Sequence, residues 1–192
     1  MAESIITKKA LATSLKEVLE VRPFEKITIA NICENCGMNR KSFYYHFKDK
    51  YDLVNWIFDT EFIEIARNGI DENIPIGSHI EERWGILQNV CHYLYANRSF
   101  YSKLFPLREQ NCLADHFREI CHPIFANRLK ITEGWEEAPK LMVEFLTDAI
   151  LCAIERWITA NDPVPPEEFE ETLIACIRLV RYIPEDFDAP KP

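Results

Sequence analysis

The sequence predicts an all-α protein with about nine helices. Across its 192 residues, apolar side chains recur at spacings of three and four almost everywhere. No stretch keeps the alternation of apolar and polar residues that is typical of a β-strand. Residues that favour helix starts precede the apolar stretches, and Pro or Gly follows many of them, so the pattern divides into separate helices.

The first helix is predicted to open near Ser4 or Thr7 and to run to about Glu20. Its apolar residues fall on one face, which indicates that this face packs on a core. Arg22-Pro23 ends the helix, because the residue before a proline disfavours helical backbone angles.

Three polar residues are suited to cap the helices that follow. They are Thr28 before a helix over 29–35, Asn39 before one over 40–47, and Asp49 before one that runs to Gly69. Gly37 lies between the second and third helices, where a residue with positive φ makes a tight turn. Asp52 adds a carboxylate to the first turn of the fourth helix, as in a capping box.

Five further helices are predicted after a loop at 73–77. They cover roughly 78–97, 99–106, 109–130, 137–160 and 166–183, with Pro and Gly residues between several of them. The domains predicted from this pattern are 1–50 and 51–183, followed by a tail over 184–192.

Charge is distributed unevenly along the chain, whose formal net charge is −9. The first fifty residues hold nine basic and six acidic residues, a balance of +3. The other 142 residues hold 13 basic and 25 acidic residues, a balance of −12. A basic segment on an acidic chain indicates two surfaces with different partners, although chance drift of composition would give the same balance.

Composition and motifs exclude several classes of protein. With five glycines, the chain has no Gly-rich phosphate loop, no G-x-S-x-G elbow and no G-x-G-x-x-G motif. The longest apolar run, Ala149 to Ile154, is much shorter than the roughly 18 residues of a membrane helix. The start, Met1-Ala2-Glu3-Ser4, lacks the pattern of a signal peptide, and seven cysteines, an odd number, favour free thiols. We therefore expect a cytoplasmic protein that is not an enzyme, binds no cofactor or metal, and does not contact membranes.

Residues 28 to 50 have the dimensions of a helix-turn-helix, in which the second helix enters the major groove of DNA. On that second helix, Phe43 and Phe47 lie four residues apart and are expected to face the core. The opposite face carries basic, hydroxyl and imidazole side chains, which donate to phosphates or base edges. An ordinary solvated helix face is the alternative interpretation.

Two further donors are predicted to hold phosphates beside the groove. Lys50 lies at the start of the fourth helix, where a backbone N–H and the ammonium together favour an anion. Thr28 has the same position on the second helix. The sequence therefore predicts a clamp with donors on both sides of the groove.

Three segments of this region resemble the DNA-binding domain of the TetR/AcrR family of bacterial transcriptional regulators. They are Ile27-Thr28-Ile29-Ala30-Asn31-Ile32-Cys33, Cys36-Gly37-Met38 and Ser42-Phe43-Tyr44-Tyr45-His46-Phe47-Lys48-Asp49-Lys50-Tyr51-Asp52-Leu53. The resemblance implies a homodimer that binds double-stranded DNA at a palindromic operator. It also implies a C-terminal helical domain that binds a small-molecule effector and dimerises.

By position, the resemblance implies a set of DNA-contacting residues. They are Thr28, Asn39, Arg40, Lys41, Ser42, Tyr44, Tyr45, His46 and Lys50. Arg40 and Lys41 differ from the small residues often found there, so they are the candidates for reading base sequence. Cys33 and Cys36 form a Cys-x-x-Cys pair that elsewhere binds zinc or does redox chemistry, but both fall where the family usually has alanine. They are interpreted as small core residues.

The C-terminal region is rich in aromatic residues that could line an effector pocket between helices. The candidates are Trp84, Cys91, His92, Tyr95, Phe105, His116 and Phe117. The same residues could form an ordinary core, and the sequence does not separate the two interpretations.

The last two long helices carry apolar stripes at spacings of three and four. The stripe residues are Leu146, Ile150, Ile154 and Trp157 on one helix, and Phe169, Leu173, Ile177 and Val180 on the other. The resemblance implies that these helices pair with their copies in a four-helix dimer interface, whereas an isolated domain would bury the stripes internally.

Two enzyme-like or metal-binding alternatives remain. Glu119-Ile120-Cys121-His122 matches the Glu-x-x-His motif of di-iron helical bundles, but one copy is present where two are needed. Pro123 follows directly and is expected to disturb the helix that carries the motif. A metal site built from Cys112, His116, Cys121 and His122 is the second alternative.

A third alternative keeps the fold but replaces the small molecule with a protein coactivator. The segments Asn39-Arg40-Lys41-Ser42-Phe43 and Asp52-Leu53-Val54-Asn55-Trp56-Ile57 are similar to regulators of dihydroxyacetone kinase operons. Some members of that group act as activators through a kinase-like coactivator, so the resemblance also allows an activator or adaptor.

Overall fold

A computed structural model of the chain describes residues 2–68, 79–133 and 136–181. Within these residues it contains nine α-helices and one 3₁₀ turn, Phe24–Lys26. The helices are α1 Ala2–Val21, α2 Ile29–Asn35, α3 Arg40–His46, α4 Lys50–Asn68, α5 His79–Ala96, α6 Arg98–Tyr101, α7 Leu113–Glu133, α8 Lys140–Thr159 and α9 Pro166–Arg181. The all-α prediction is confirmed. The predicted end at Gly69, the loop at 73–77 and the tail over 184–192 lie outside the described residues.

The predicted caps of the short helices are confirmed. Thr28 accepts a hydrogen bond from the backbone N–H of Asn31 at the start of α2, and Asn39 accepts one from Ser42 at the start of α3. Asp49 Oδ1 accepts from the backbone N–H of Tyr51 and of Asp52, both at 2.8 Å, at the start of α4. Each cap satisfies N–H groups that the helix itself leaves without acceptors.

The turn between α2 and α3 depends on Gly37, whose φ is +67°. A side chain at this position would strain the backbone, because a Cβ atom disfavours the left-handed region. The turn is closed by a hydrogen bond of 2.8 Å from Met38 N to Cys33 O.

Two predicted helices, those over 99–106 and 109–130, differ from the structure in their boundaries. The predicted helix over 99–106 is a single helical turn, Arg98–Tyr101, followed by further turns, and the next helix starts at Leu113 rather than at 109. Pro123, which the sequence predicts to disturb its helix, lies inside α7, and the helix continues through it to Glu133. A proline removes one helical hydrogen bond, and the missing donor is tolerated here because Pro123 lies on the exposed side of α7.

We call α1 to α3 the head and α5 to α9 the body. The head core contains buried residues from all three helices: Leu11, Leu15, Ile32, Phe43 and Phe47. This core continues without interruption into that of the body through α4. On α4, Leu53 and Ile57 are buried, and Phe58 packs against Tyr101 and Phe117 of the body with ring centroids 6.1 and 6.0 Å apart. The predicted domain boundary at residue 50 therefore falls at the first residue of a helix that packs on both parts.

In the body, α7 packs along α8 and α9 packs along α5. Trp157 near the end of α8 stacks on Phe169 near the start of α9, with centroids 4.1 Å apart and planes 6° from parallel. Arg98 at the start of α6 donates to the carbonyls of Ile158 and Ala160, and so satisfies the C-terminal end of α8. Among the described residues, no helix is long and apolar enough to cross a membrane.

Lys50 joins the start of α4 to the 3₁₀ turn of the head. Its Nζ donates to the carbonyl oxygens of Phe24, Ile27 and Glu25 at 2.7, 3.0 and 3.3 Å. The same ammonium lies 4.4 Å from the ring centroid of Phe24, a cation–π distance. Burial lowers the pKa of Lys50, although Glu25, Glu109 and Asp49 act in the opposite direction.

Replacing Lys50 with methionine is expected to destabilise the protein by about 1–3 kcal/mol, because three carbonyl oxygens lose a charged donor while the apolar stem is retained. Chemical denaturation followed by circular dichroism measures this change. Lys48→Met is the matched control, because Lys48 is exposed two residues earlier, and its expected effect is within about 0.5 kcal/mol. Equal free energies of unfolding for the two variants would contradict a stabilising role for the hydrogen bonds from Lys50 to the three carbonyl oxygens.

Candidate nucleic-acid interface

Helix α3 is amphipathic, with an apolar face in the head core and a donor-rich face in solvent. Phe43 is completely buried, and Phe47 directly after the helix is also buried. Arg40 and Lys41 are exposed, and Tyr44 and Tyr45 are 59% and 82% exposed. Large aromatic side chains are rarely left so open on an isolated helix face, so this face has the composition of a contact surface.

The two tyrosines pack against neighbours on the same helix. Tyr44 makes an edge-to-face contact with Phe43 at 5.8 Å between centroids, and Tyr45 makes one with His46 at 4.9 Å. These contacts restrict the rings and leave most of their surface open. Rigid rings lose less entropy on binding than free ones, which favours their use in recognition.

Thr28, Asn39 and Ser42 take part in capping rather than standing free. The Thr28 hydroxyl donates to Asn31 Oδ1 at 2.9 Å, and the Asn31 side chain accepts from the Thr28 backbone N–H at 3.1 Å. Asn39 Oδ1 accepts from the Ser42 backbone N–H at 2.8 Å. Their positions at the starts of α2 and α3 fit the predicted DNA-contacting set, but part of their hydrogen-bonding capacity already serves the helices.

Lys50 differs from its predicted role. The sequence predicts that its ammonium holds a phosphate, whereas in the structure it donates to three backbone carbonyls of the head. An ammonium has three N–H donors, so these acceptors use its full capacity. The side chain fixes the 3₁₀ turn against α4, and a phosphate would have to displace it.

Lys8 is a cation beside α3 that the sequence pattern did not single out. Its ammonium lies 5.4 Å from the ring centroid of Phe47 and 5.6 Å from that of Trp56. It therefore stands over the C-terminal end of α3, although it belongs to α1. The sequence includes Lys8 only in the charge balance of the first fifty residues, because its position beside α3 depends on tertiary packing.

The Cys-x-x-Cys pair belongs to the head. Cys33 is buried in the core and Cys36 is half-buried, both as free thiols. Cys36 Sγ lies 3.3 Å from the carbonyl oxygen of Ile32, to which it donates. Burial raises the pKa of Cys33, and the Cys36 thiol raises it further, which disfavours the thiolate that a metal or redox site needs.

The predicted effector-pocket residues fall into two separate groups. Cys91 is buried, His92 lies 3.4 Å from Glu167 of α9, and Tyr95 stacks on Trp157 at 5.8 Å. This first group lies on the C-terminal half of α5, against α9 and the end of α8. Burial raises the pKa of Cys91 to about 12, with a further contribution from Glu170, so the thiol stays neutral near pH 7.

The second group lies where α4 meets α7. Phe105 and Phe117 are buried and contact each other edge-to-face at 5.8 Å. His116 Nε2 lies 2.6 Å from Asp59 Oδ1. The side chain of Trp84 lies outside the described residues. The six remaining candidates therefore do not surround one cavity, and most of them are core or helix-packing residues.

Two of the surface concavities in the described part of the chain lie at the end of α1 and beside α4 and α7. One, of about 240 Å³, is lined by Asn55, Gln110, Asn111, Asp115, His116 and Glu119. The other, of about 430 Å³, is lined by residues 19–25 and Lys103. The smaller one includes His116 from the predicted pocket set, whereas the larger one contains none of that set.

The predicted dimer stripe is mostly buried within one chain. Ile154, Trp157, Phe169 and Leu173 are each less than a tenth exposed, so they offer almost no surface to a partner. The stacking of Trp157 on Phe169 and the packing of α9 on α5 account for this burial. Leu146 and Ile150 are half-buried, and the side chains of Ile177 and Val180 lie outside the described residues.

A different face of α8 carries the exposed apolar residues. Leu141 and Phe145 are 77% and 59% exposed, and Ala149 and Cys152 on the same face are also exposed. Their spacings of four, four and three place them along one side of the helix. The sequence alone did not separate this stripe from the buried one, since both have helical periodicity.

The metal alternatives find no support in the described residues. Within them, no three His, Cys, Asp or Glu side chains are placed to hold a metal ion. His116 is engaged with Asp59, and Cys112 and Cys121 are buried free thiols. Burial raises the pKa of Cys121 to about 12, which further disfavours metal coordination there.

Known proteins are similar to this chain over most of its length. An HTH-type dhaKLM operon transcriptional activator, DhaS, from Lactococcus lactis is 26% identical over 162 residues, which are 81% of each chain. The transposon Tn10 TetC protein from Escherichia coli is 22% identical over 156 residues, 81% of this chain and 67% of TetC.

Solved structures share the fold. A TetR transcriptional regulator from Streptococcus agalactiae matches with a TM-score of 0.66 at 15% identity, covering 92% of this chain and 96% of that one. The dihydroxyacetone kinase operon activator DhaS matches with a TM-score of 0.58 at 19% identity, covering 91% and 98%.

Two family models match the chain in separate regions. Residues 13–57 match the bacterial regulatory proteins of the tetR family, and residues 82–179 match a transcriptional regulator C-terminal region of the same family. The first match covers the helix-turn-helix with its exposed donor face, and the second covers more than half of the chain. The chain therefore belongs to the TetR family of DNA-binding transcriptional regulators, which are not enzymes.

Proposed function

We propose that the protein binds a palindromic operator as a homodimer, with α3 of each protomer in a major groove. The observation that carries this proposal is the exposed face of α3, where cationic, hydroxyl and aromatic side chains are open to solvent. Seven residues cannot form a stable helix alone, so α3 is held by the burial of Phe43 and by its cap. Such a held helix presents its donors in fixed positions.

The exposed stripe of α8 supports the dimer. Leu141, Phe145, Ala149 and Cys152 lie along one exposed side of a helix in the body. On α9, the exposed residues Thr172 and Cys176 are small enough to allow close helix approach. We propose that these sides of α8 and α9 pair with their copies, in place of the buried stripe that the sequence predicted.

We further propose that a second ligand bound by the body changes operator affinity. A small-molecule effector would act by changing the separation of the two heads, because the half-sites repeat at about 34–36 Å along the duplex. A protein coactivator is the second candidate. It is favoured by the dispersal of the predicted pocket residues into two packed groups, and by the similarity to DhaS, which is named an activator.

The two candidate ligands predict different results from the purified protein. If the ligand is a small molecule, native mass spectrometry of the full chain is expected to show it bound to the dimer. If the ligand is a protein coactivator, the dimer is expected to have the mass of two chains alone. Titration of metabolite pools against the protein–operator complex then tests for a shift in affinity. A shift produced by low-molecular-weight fractions supports the effector, whereas a shift that requires a macromolecular fraction supports the coactivator.

Selection of bound fragments from random DNA tests the operator proposal. We expect a recovered palindrome with half-sites centred about one helical turn apart, because two-fold symmetry of the protein imposes it on the site. Recovery of a single unrepeated motif would contradict the homodimer, and no enrichment at low salt would contradict the proposed α3 interface.

Arg40→Ala is expected to relax base preference at one position of each half-site. The difference in binding free energy between the preferred base and the others should fall by about 1–3 kcal/mol, because the substitution removes an exposed bidentate donor from the start of α3. Binding to operators with single base changes measures this loss. Arg22→Ala is the matched control, since Arg22 is an exposed arginine of the same head outside α3.

Tyr44→Phe gives the contrasting result in the same assay. Loss of a hydroxyl that reaches a phosphate is expected to weaken binding to all sequences alike, by about 1 kcal/mol, and to leave base preference unchanged. If Arg40→Ala weakens binding to all sequences alike, Arg40 contacts the phosphate backbone rather than a base.

Phe145→Glu is expected to weaken the dimer by at least about 2 kcal/mol, roughly thirtyfold in the dissociation constant, because it places a charge in the proposed interface. Sedimentation analysis over a concentration series measures the effect. Ile124→Glu is the control, because Ile124 is 52% exposed on α7 and lies outside the proposed stripe. An unchanged dimer in Phe145→Glu would place the interface elsewhere.

A further inference from the structure

A polar cluster lies where the head meets the body, and it contains side chains from four helices. Lys16 of α1 donates to Glu61 Oε1 of α4 at 2.5 Å. Tyr101 of α6 donates to Glu61 Oε2 at 3.0 Å, and Tyr93 of α5 donates to the same oxygen. The two phenol oxygens lie 2.9 Å apart. One carboxylate therefore holds a lysine of the head and two tyrosines of the body.

The cluster is partly shielded from solvent. Tyr101 is completely buried, and the side chains of Lys16 and Glu61 are 32% and 27% exposed. Burial raises the pKa of Tyr101 far above its ordinary value, and the Glu61 carboxylate raises it further, so the phenol keeps its proton and acts as a donor. The Glu61 carboxylate is half-buried, so its three donors replace water as hydrogen-bond partners and their loss is costly.

Two further contacts join the same parts of the molecule. Lys103, just after α6, donates to the carbonyl oxygen of Leu19 at 2.7 Å and so satisfies the end of α1. The Lys16 ammonium also lies 5.3 Å from the ring centroid of Phe100 on α6. The second half of α1 is therefore fixed to α4 and α6 by directional contacts as well as by apolar packing.

We propose that Glu61 is a positioning residue for operator recognition, which sets the angle of the head on the body and so the spacing of half-sites that the dimer accepts. Apolar packing between helices tolerates small rotations, whereas hydrogen bonds weaken steeply with angle and distance. A rotation of α1 would separate Lys16 from Glu61 or pull Glu61 from the tyrosines. This inference rests on the proposed dimer on a palindromic operator.

The proposal gives a specific consequence for DNA binding. One inserted base pair moves a half-site by about 3.4 Å and rotates it by about 34° around the helix axis. A dimer with fixed heads loses affinity for such a site, whereas a dimer with loosened heads adapts to it. Contacts within one half-site remain unchanged, because α3 and its caps lie outside the cluster.

The test uses the operator recovered by selection, a series with one or two base pairs inserted or removed between its half-sites, and an isolated half-site. The purified full chain is compared with Glu61→Gln and with Tyr93→Phe, which removes one hydroxyl and keeps the ring. We expect the unmodified protein to prefer the native spacing by roughly tenfold or more. Glu61→Gln is expected to reduce this preference to about threefold or less, and Tyr93→Phe is expected to reduce it by a smaller factor. Both variants are expected to bind the isolated half-site with an affinity within about twofold of that of the unmodified protein.

Glu155→Gln is the matched control. Glu155 is 22% exposed, similar to Glu61, and its carboxylate accepts two hydrogen bonds of 2.7 Å from Arg108 within the body. It joins no element of the head, so the spacing preference of Glu155→Gln should equal that of the unmodified protein. Because both substitutions remove a half-buried carboxylate that accepts hydrogen bonds, this comparison separates head positioning from a general loss of stability.

The possible outcomes separate the two proposals. If folded Glu61→Gln and Tyr93→Phe keep the spacing preference of the unmodified protein, the positioning role of Glu61 is overturned. The proposal of a dimer on a palindrome is then unaffected. Absence of any spacing preference in the unmodified protein would overturn both. If Glu61→Gln does not fold, Tyr93→Phe decides the matter, and an equal loss of preference in Glu155→Gln would also overturn the assignment to Glu61.

Discussion

Burial of Phe43 and Phe47 in the head core is the constraint on which the DNA-binding surface depends. A helix as short as α3 gains little from its own hydrogen bonds, so its existence rests on tertiary packing. Each buried phenylalanine contributes about 1.5–3 kcal/mol through removal of apolar surface from water. The same burial fixes the rotation of the helix about its axis. Once Phe43 points inward, Lys41 and Tyr45 on the opposite side have to point outward, and Arg40 and Tyr44 beside them are exposed as well.

The head is not an independent unit attached by a linker, because α4 belongs to both parts. Its first turn is joined to the 3₁₀ turn by Lys50, its middle is buried in the common core, and Glu61 near its end joins α1 to α5 and α6. Under our proposal, events in the body reach the head through α4 and a polar cluster with directional contacts. This construction supports regulation by a change of head angle, whatever the chemical nature of the second ligand.

Apolar residues of the body divide between internal packing and exposed surface. Trp157 and Phe169 hold α8 and α9 together by stacking, and this stacking uses part of the stripe that the family resemblance assigns to the dimer. The neighbouring side of α8, with Leu141 and Phe145, is left in solvent. Exposed apolar side chains on a regular face of a helix favour association, which is why we propose the interface there.

The amino-acid sequence by itself determined the all-α class, the caps at Thr28, Asn39 and Asp49, the turn at Gly37 and the family. These features depend on contacts between residues a few positions apart, such as that of a cap side chain with the backbone N–H three residues later. Such contacts can therefore be predicted from short sequence patterns. Only the tertiary structure decided that Lys50 binds backbone carbonyls, that Lys8 lies beside α3, that the predicted pocket residues separate into two groups, and that Glu61 joins four helices. These contacts join residues far apart in the chain, and helical periodicity shows that a side of a helix is apolar without showing which neighbour covers it.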